Sequence, residues 1–376
     1  MVALRTIAPI LLAALAGLLS HGGPFWTLPA ALLWPACWMA SDRRWQAAAC
    51  ALAYHLATSR GLLPGASVFF GRWYAGAAVW LGAALILAAV WGCLWRRRRG
   101  LRLALLPLGL VLVAIPPVGV IGWSHPLTAA GALLPGWGWG GLAVAAAAIV
   151  GIAALRLRYA VAAAAAAVAL AFVLDKPPAT VPGWRAVDTE FRLSAVPDFR
   201  ADFVRRQAIH ALAEQEPAEL VLFGESLGGL WTETMRRAWA EDCTPAFVIG
   251  TEVLVDGKQL DNALAYFGAD GGRIVYRQRQ PVPVSMWKPF TGSGERAHWF
   301  ENATIDLHGR RVAVLICYEQ LLVWPALHSA AERPEAFVGV SNDWWAVGTS
   351  IPAIQRNAVT GWARLFGVPV VLAFNY

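Results

Sequence analysis

The sequence predicts a polytopic α-helical membrane domain over residues 1–174, of about seven helices, followed by an α/β layered domain over residues 175–376. Three observations predict it. Hydrophobic residues make up 58% of the 376 and mean hydropathy is +0.50, too apolar for an ordinary pair of soluble domains. The excess is uneven: Ala, Leu, Val, Gly and Trp fill long runs before residue 174, whereas most acids follow it. Beyond residue 175, strand-like and helix-like runs alternate, the pattern of a sheet covered by helices.

Charge fits the same division. The formal net charge is +7, and much of the basic excess stands beside apolar runs, at Arg43–Arg44, at Arg96–Arg99 with Arg102, and at Arg156 with Arg158. Short basic clusters flanking apolar spans mark the cytoplasmic side of a membrane protein. No basic stripe with interleaved aromatics follows, so nucleic acid is not an expected partner. Cys37, Cys50 and Cys93 fall in apolar runs; Cys243 and Cys317 lie in the second half. Nothing resembles a metal-binding CxxC or a disulfide framework, and no metal or cofactor is implied. Two cysteines alone do not decide whether 243 and 317 pair.

A helix needs about 20 apolar residues to cross the hydrocarbon core. The candidate spans are 6–20, 24–40, 46–60, 73–95, 103–123, 137–155 and 158–174, the third diluted by His55, Thr58 and Ser59. Residues 1–20 also have the shape of a signal peptide, with Arg5 before an apolar core, but the spans that follow favour a retained first helix. With Arg5 in the cytoplasm, each arginine cluster falls on the cytoplasmic side. The loops near 21–23, 61–72 and 124–136 then face outward, and the odd span count delivers residue 175 onward to the extracytoplasmic side. Tryptophans and tyrosines near the span ends, such as Trp26, Trp73, Tyr74 and Trp137, read as an aromatic belt. His21 and His125 fall at the outer edges, where solvation is the expected state.

Lys176 through Gly183, rich in proline, reads as a linker. Strands are expected at 186–193, 219–223, 246–250, 262–267, 273–277, 312–316, 336–340 and 368–374. Helices are expected at 200–214, 227–240, 320–332 and 353–366. Three stretches carry possible chemistry. Leu220-Val-Leu-Phe-Gly-Glu225-Ser226 is a buried strand ending in an acid. Val312-Ala-Val-Leu-Ile-Cys317-Tyr-Glu319 is a strand with a cysteine at its tip. Phe337-Val-Gly-Val-Ser-Asn342-Asp343-Trp344-Trp345 is a strand running into a polar and aromatic corner. Polar residues at the carboxyl ends of neighbouring strands are where α/β sheets place their sites.

Those stretches, with Gln355 through Arg364, resemble the nitrilase (carbon–nitrogen hydrolase) superfamily and within it the membrane-bound apolipoprotein N-acyltransferases. Those enzymes carry a polytopic membrane domain before an extracytoplasmic nitrilase domain, so the resemblance covers nearly the whole chain. Pro281-Val-Pro-Val-Ser-Met-Trp287 is also similar to TraB-type conjugal transfer proteins. The resemblance implies an αββα sandwich for the second domain and a Glu, Lys, Cys mechanism. In it the cysteine attacks a carbonyl to give a thioester, the glutamate is the general base and the lysine stabilises the oxyanion.

Carried over by motif, Cys317 is the nucleophile, Glu225 the base and Glu319 a second acid, with Gly224 where the family usually has proline. The Tyr318 N–H would be an oxyanion donor, and Tyr318, Asn342, Trp344 and Trp345 are candidates for substrate binding. The register set by Tyr276 and by Val282-Pro283 puts Gln278 at the lysine position and Met286 where the acyltransferases carry a further glutamate. Arg277, Arg279 and Lys288 are nearby cations, and Arg279 is taken as the catalytic one. A guanidinium can hold an oxyanion but cannot shuttle protons. The acyltransferases continue past the position of Asn375 into a final membrane helix, whereas this sequence stops at Tyr376, which implies a tether at one end only.

The leading expectation is a membrane-bound, thiol-dependent acyl or amide transfer at the outer leaflet of the bacterial cytoplasmic membrane. Its substrate would be lipid-linked or a membrane peptide such as a lipoprotein or pilin, with conjugation-machinery proteins as further candidate partners. The alternative is a catalytically degenerate nitrilase fold kept as a scaffold of a conjugation apparatus, which the missing lysine favours. A transporter fits less well, since the spans hold hardly any internal charge.

Overall fold

A computed structural model describes residues 2–193, 198–241, 243–301 and 303–376, with side chains from Thr6 onward. The side chain of Arg5, on which the orientation argument begins, lies outside the described residues. The chain forms two compact units. The first comprises Met1–Pro178, Leu321–Trp324 and Trp345–Gly367; the second comprises Ala179–Gln320, Pro325–Trp344 and Val368–Tyr376. Where the sequence suggests one division near residue 174, two later segments thus return to the first unit.

The first unit is helical. Its elements are α1 (Val2–Ser20), α2 (Leu33–Met39), α3 (Arg44–Thr58), α4 (Leu62–Phe70), α5 (Trp73–Leu94), α6 (Arg99–Ala114), α7 (Ala130–Leu133), α8 (Gly138–Ala154) and α9 (Leu157–Val173). Small residues allow close contacts here. At Gly131 of α7 an added Cβ would lie 1.8 Å from the carbonyl oxygen of Gly361, so only glycine fits. Among the described residues, Trp73–Leu94 is the helix long and apolar enough to cross a membrane; Thr6–Ser20, Gly138–Ala154 and Leu157–Val173 are shorter apolar helices.

Several expectations for this half need correction. The 24–40 span is a 3₁₀ stretch, Phe25–Leu32, running into α2. The supposed loop 61–72 contains α4. The 103–123 span ends at Ala114, because Ile115 precedes Pro116 and takes an extended conformation. His21 and His125 are not solvated edges: they are 3% and 2% exposed. The Ser20 hydroxyl lies 2.7 Å from His21 Nδ1. His125 Nδ1 accepts from the Leu127 N–H, which leaves Nε2 as the donor to the Leu110 carbonyl at 3.0 Å.

The second unit is built on two sheets. Its strands are β1 (Trp184–Ala186), β2 (Leu220–Leu222), β3 (Ala246–Val255), β4 (Gln259–Gly268), β5 (Gly271–Arg277), β6 (Gly294–Glu295), β7 (Ile305–Leu307), β8 (Arg310–Ile316), β9 (Ala336–Asn342) and β10 (Val370–Asn375). The helices are α10 (Phe199–Gln215), α11 (Glu233–Ala240) and α12 (Val323–Ala331), with α13 (Ile351–Phe366) falling in the first unit. One sheet runs β1-β2-β3-β4-β5, with β6 beside β4; the other runs β10-β9-β8-β7.

Strand alternation explains the layers. Leu220, Leu222 and Val248 point one way and meet Val314, Val338 and Ala373 of the other sheet. Val221, Phe223 and Phe247 point the opposite way and meet Ile209 of α10 and Trp239 of α11. A helix layer, a sheet and a second sheet are thus set by a period of two. The expected helix 227–240 shortens to α11, because Gly228 and Gly229 precede it and Thr232 caps it, accepting from the Met235 N–H. The expected helix 320–332 begins instead as a 3₁₀ turn, Cys317–Leu321, before α12. The short strands β6 and β7 carry no sequence pattern long enough to reveal them.

Candidate functional site

The parallel register β8–β9 pairs Ile316 with Val340, and β10 pairs with β9 so that Asn375 stands beside Asn342. These tips, with the end of β2, gather the three motif stretches. Cys317 is 5% exposed and adopts φ +45°, in the left-handed region that a non-glycine residue rarely occupies. Such a conformation persists only where surrounding contacts over-determine it, and it turns the chain sharply at the strand tip.

The thiol sits in hydrogen-bond contact with Glu225 and with Ser341. Ser341 Oγ donates to Asp343 Oδ1 at 2.6 Å. Glu225 is held from two further directions: the Asn342 N–H donates to its Oε2 at 3.0 Å, and the Asn262 amide donates to its Oε1. Burial pushes the Glu225 carboxyl up to about 7, against the opposing hydrogen bonds from Asn262, Cys317 and Asn342. Burial, and then the negative charge of Glu225, raise the Cys317 thiol well above its ordinary range. The resting group is therefore a thiol, with a carboxylate poised near neutrality to take its proton.

Gln278 stands at the lysine position, buried. Its Nε2 donates to the Ile316 carbonyl at 2.9 Å, and its Oε1 accepts from the Asn262 amide at 3.0 Å. Asn262 thus bridges Glu225 and Gln278. Neither Asn262 nor Ser341 was marked out by sequence. Ser341 lies inside the Phe337–Trp345 stretch, but Asn262 sits within an expected strand with no motif around it.

Glu319 and Arg279 form a second buried group. Glu319 Oε1 accepts from the Arg279 N–H at 2.6 Å and lies 3.6 Å from the Arg279 guanidinium; its Oε2 accepts from the Ile316 N–H at 2.8 Å. Arg279 also reaches the Tyr276 hydroxyl, Ser329 and the Val314 carbonyl. Arg277 pairs instead with Asp261, and Lys288 is exposed. Asp261 also takes Arg296 and His298, whose hydrogen bonds outweigh its burial and hold its carboxyl well below the usual range.

Of the aromatic candidates, Tyr318 is half-buried in the turn after Cys317, and Trp344 is exposed beyond β9. Trp345 belongs to the helical unit, where it packs on Gly65 and, at 6.3 Å between centroids, on Phe69. The Asn342 side chain accepts from Asn375 Nδ2 at 2.8 Å. Cys243 and Cys317 are not joined in a disulfide.

Residues 100–364 match the family model for carbon–nitrogen hydrolases. The chain belongs to the carbon–nitrogen hydrolase family, in its TraB branch. It is 40% identical to the conjugal transfer protein TraB of Agrobacterium fabrum, over 99% of this chain and 93% of that one. It is 38% identical to a probable conjugal transfer protein TraB of Sinorhizobium fredii, over 99% of this chain and 97% of that one. Among solved structures, a cysteine mutant of the Nesterenkonia AN1 amidase, from the nitrilase superfamily, is 16% identical with a TM-score of 0.40, covering 51% of this chain and 75% of that one. In this carbon–nitrogen hydrolase, the residues at the nucleophile and base positions are in contact, and a glutamine occupies the lysine position.

Proposed function

We propose that this protein is a membrane-bound enzyme that transfers an acyl or amide group through a thioester on Cys317, in the service of conjugal transfer. The contact between the Cys317 thiol and the buried Glu225 carboxyl carries the reading. A thiol attacks a carbonyl only after losing its proton, and Glu225 is placed and tuned to accept it. In the proposed cycle the S–H proton passes to Glu225 as the S–C bond forms. Collapse of the tetrahedral intermediate expels the leaving group, which takes that proton. An acceptor amine or water then cleaves the thioester by the same steps in reverse.

The membrane part of the reading rests on composition and exposure. Helix α5 spans 22 residues and is long and apolar enough to cross a bilayer. Apolar side chains stand exposed along several helices, among them Leu11, Leu15, Leu85, Ile86 and Phe172, where lipid is the natural solvent. With the arginine clusters in the cytoplasm, the catalytic unit faces outward from a multi-pass protein of the bacterial cytoplasmic membrane. It then meets lipid-linked or membrane-embedded peptide substrates, such as a lipoprotein or pilin, at the outer leaflet. The TraB relatives supply the link to conjugation machinery.

A second reading is favoured by one observation. Gln278 is not merely a missing lysine but a hydrogen-bonded replacement, which suits a fold kept as a scaffold. Conjugal transfer by cells carrying Cys317→Ala separates the two. Loss of transfer, with the variant present at normal levels in membranes, supports the enzyme; full transfer supports the scaffold. A reporter fused after residue 180 is expected to be active only outside the cytoplasm.

A further inference from the structure

Glu295 is a carboxyl that the site leaves unused. Its Oε2 is sealed from solvent and has no hydrogen-bond partner among the described residues. Leaving a buried polar atom unmatched costs roughly 1–3 kcal/mol, so the position calls for an explanation. Its placement is closely set. Gly294, at φ +87°, has no room for a Cβ, which would lie 2.3 Å from the Met286 carbonyl oxygen. The Glu295 N–H donates to that same carbonyl at 2.8 Å.

Strand register says which way the side chain faces. β6 pairs with β4 so that Glu295 stands opposite Leu260. Paired residues share a face, and residues two apart on a strand share a face about 7 Å apart. Glu295 is therefore on the face of Asn262, the residue that bridges Glu225 and Gln278. Burial, and then the charges of Glu225, Glu252 and Asp261, hold the Glu295 carboxyl well above the usual carboxylate range. Both effects favour its neutral, protonated form. A carboxylic acid kept neutral in this way is a hydrogen-bond donor.

We propose that the Glu295 carboxyl is the hydrogen-bond donor to the oxyanion formed at Cys317, the part a lysine would play at position 278. The proposal rests on the acyl-transfer reading. As the S–C bond forms, the carbonyl π electrons move onto oxygen and the S–H proton goes to Glu225. Glu295 donates a hydrogen bond to that oxygen without releasing its proton, and the bond weakens again when the carbonyl re-forms. No further reactant is needed.

The test compares two electrophiles on the full-length protein in detergent, followed by mass spectrometry of the Cys317 peptide. p-Nitrophenyl butyrate acylates through an oxyanion; iodoacetamide alkylates without one. The expected result is acylation of the wild type, a slowing of about 10²–10³-fold in Glu295→Leu, and a much smaller loss in Glu295→Gln, which keeps a neutral donor. Alkylation by iodoacetamide is expected to stay near the wild-type rate in both variants, which also shows that they fold. Acylation of Glu295→Leu at the wild-type rate overturns the proposal while leaving acyl transfer intact. A parallel fall in both reactions also overturns it, since the residue would then only maintain the site. A wild type that iodoacetamide alkylates but the ester does not acylate overturns acyl transfer itself, and this proposal with it.

Discussion

Gln278 Nε2 donates a 2.9 Å hydrogen bond to the carbonyl of Ile316, the residue immediately before Cys317. The amide suits this position in a way that an ammonium does not. Its oxygen accepts from Asn262, which in turn donates to Glu225. A lysine can make the first bond but cannot accept the second.

Gln278→Lys therefore brings a cation towards Glu225 while removing a hydrogen-bond acceptor. An opposite charge within about 4–6 Å lowers a carboxyl pKa by roughly 1–3 units. The rate of Cys317 alkylation by iodoacetamide, followed against pH, is expected to keep its sigmoid but move its midpoint downward. An unmoved midpoint would mean that residue 278 does not sense the base.

Glu225 makes stability depend on pH. Its carboxyl lies near 7 in the folded protein against 4.5 ordinarily, so the neutral form is the favoured one. Below about 4.5 the group is protonated whether folded or not, and it adds no penalty. As pH rises from 4.5 to 7 the folded state is progressively disfavoured, by up to about 3 kcal/mol. Glu225→Gln removes that slope. The melting temperature of the variant relative to wild type is expected to rise across this window and then level off. Parallel curves would contradict the burial argument.

Arg279 and Glu319 are both fully buried, 3.6 Å apart. Arg279→Met leaves an uncompensated carboxylate and is expected to cost about 3–5 kcal/mol, as breaking one side of a buried pair does. Arg279→Met with Glu319→Gln is expected to recover much of that in thermal unfolding. The double variant should also still acylate Cys317 with p-nitrophenyl butyrate. Recovered stability with lost acylation would instead make Arg279 the site's cation.

The legible parts of the site are those where strand pattern and chemistry coincide. Glu225 and Cys317 each end a run of apolar residues, so a one-dimensional reading already placed them at strand tips. Gln278 was legible only through the family register. Asn262 was hidden because a polar residue in a strand declares its face only when its partner is known, here Glu252 of β3. Glu295 was hidden more deeply, since β6 is two residues long and only its pairing with β4 sets the carboxyl's direction. In the helical half, apolar runs located most helices but not their ends. Pro116 stopped one early, and a 3₁₀ stretch replaced part of another. The burial of His21 and His125 is not legible in sequence, because a histidine beside an apolar run looks the same whether water or a neighbouring helix covers it.

The central claim is a thioester on Cys317. Full-length protein in membranes is incubated with phospholipid, quenched in acid, digested and analysed by mass spectrometry. The expected result is an acyl mass on the Cys317 peptide that hydroxylamine removes and that Glu225→Gln greatly reduces. An unmodified Cys317 peptide, together with full conjugal transfer by the Cys317→Ala variant, would contradict the account.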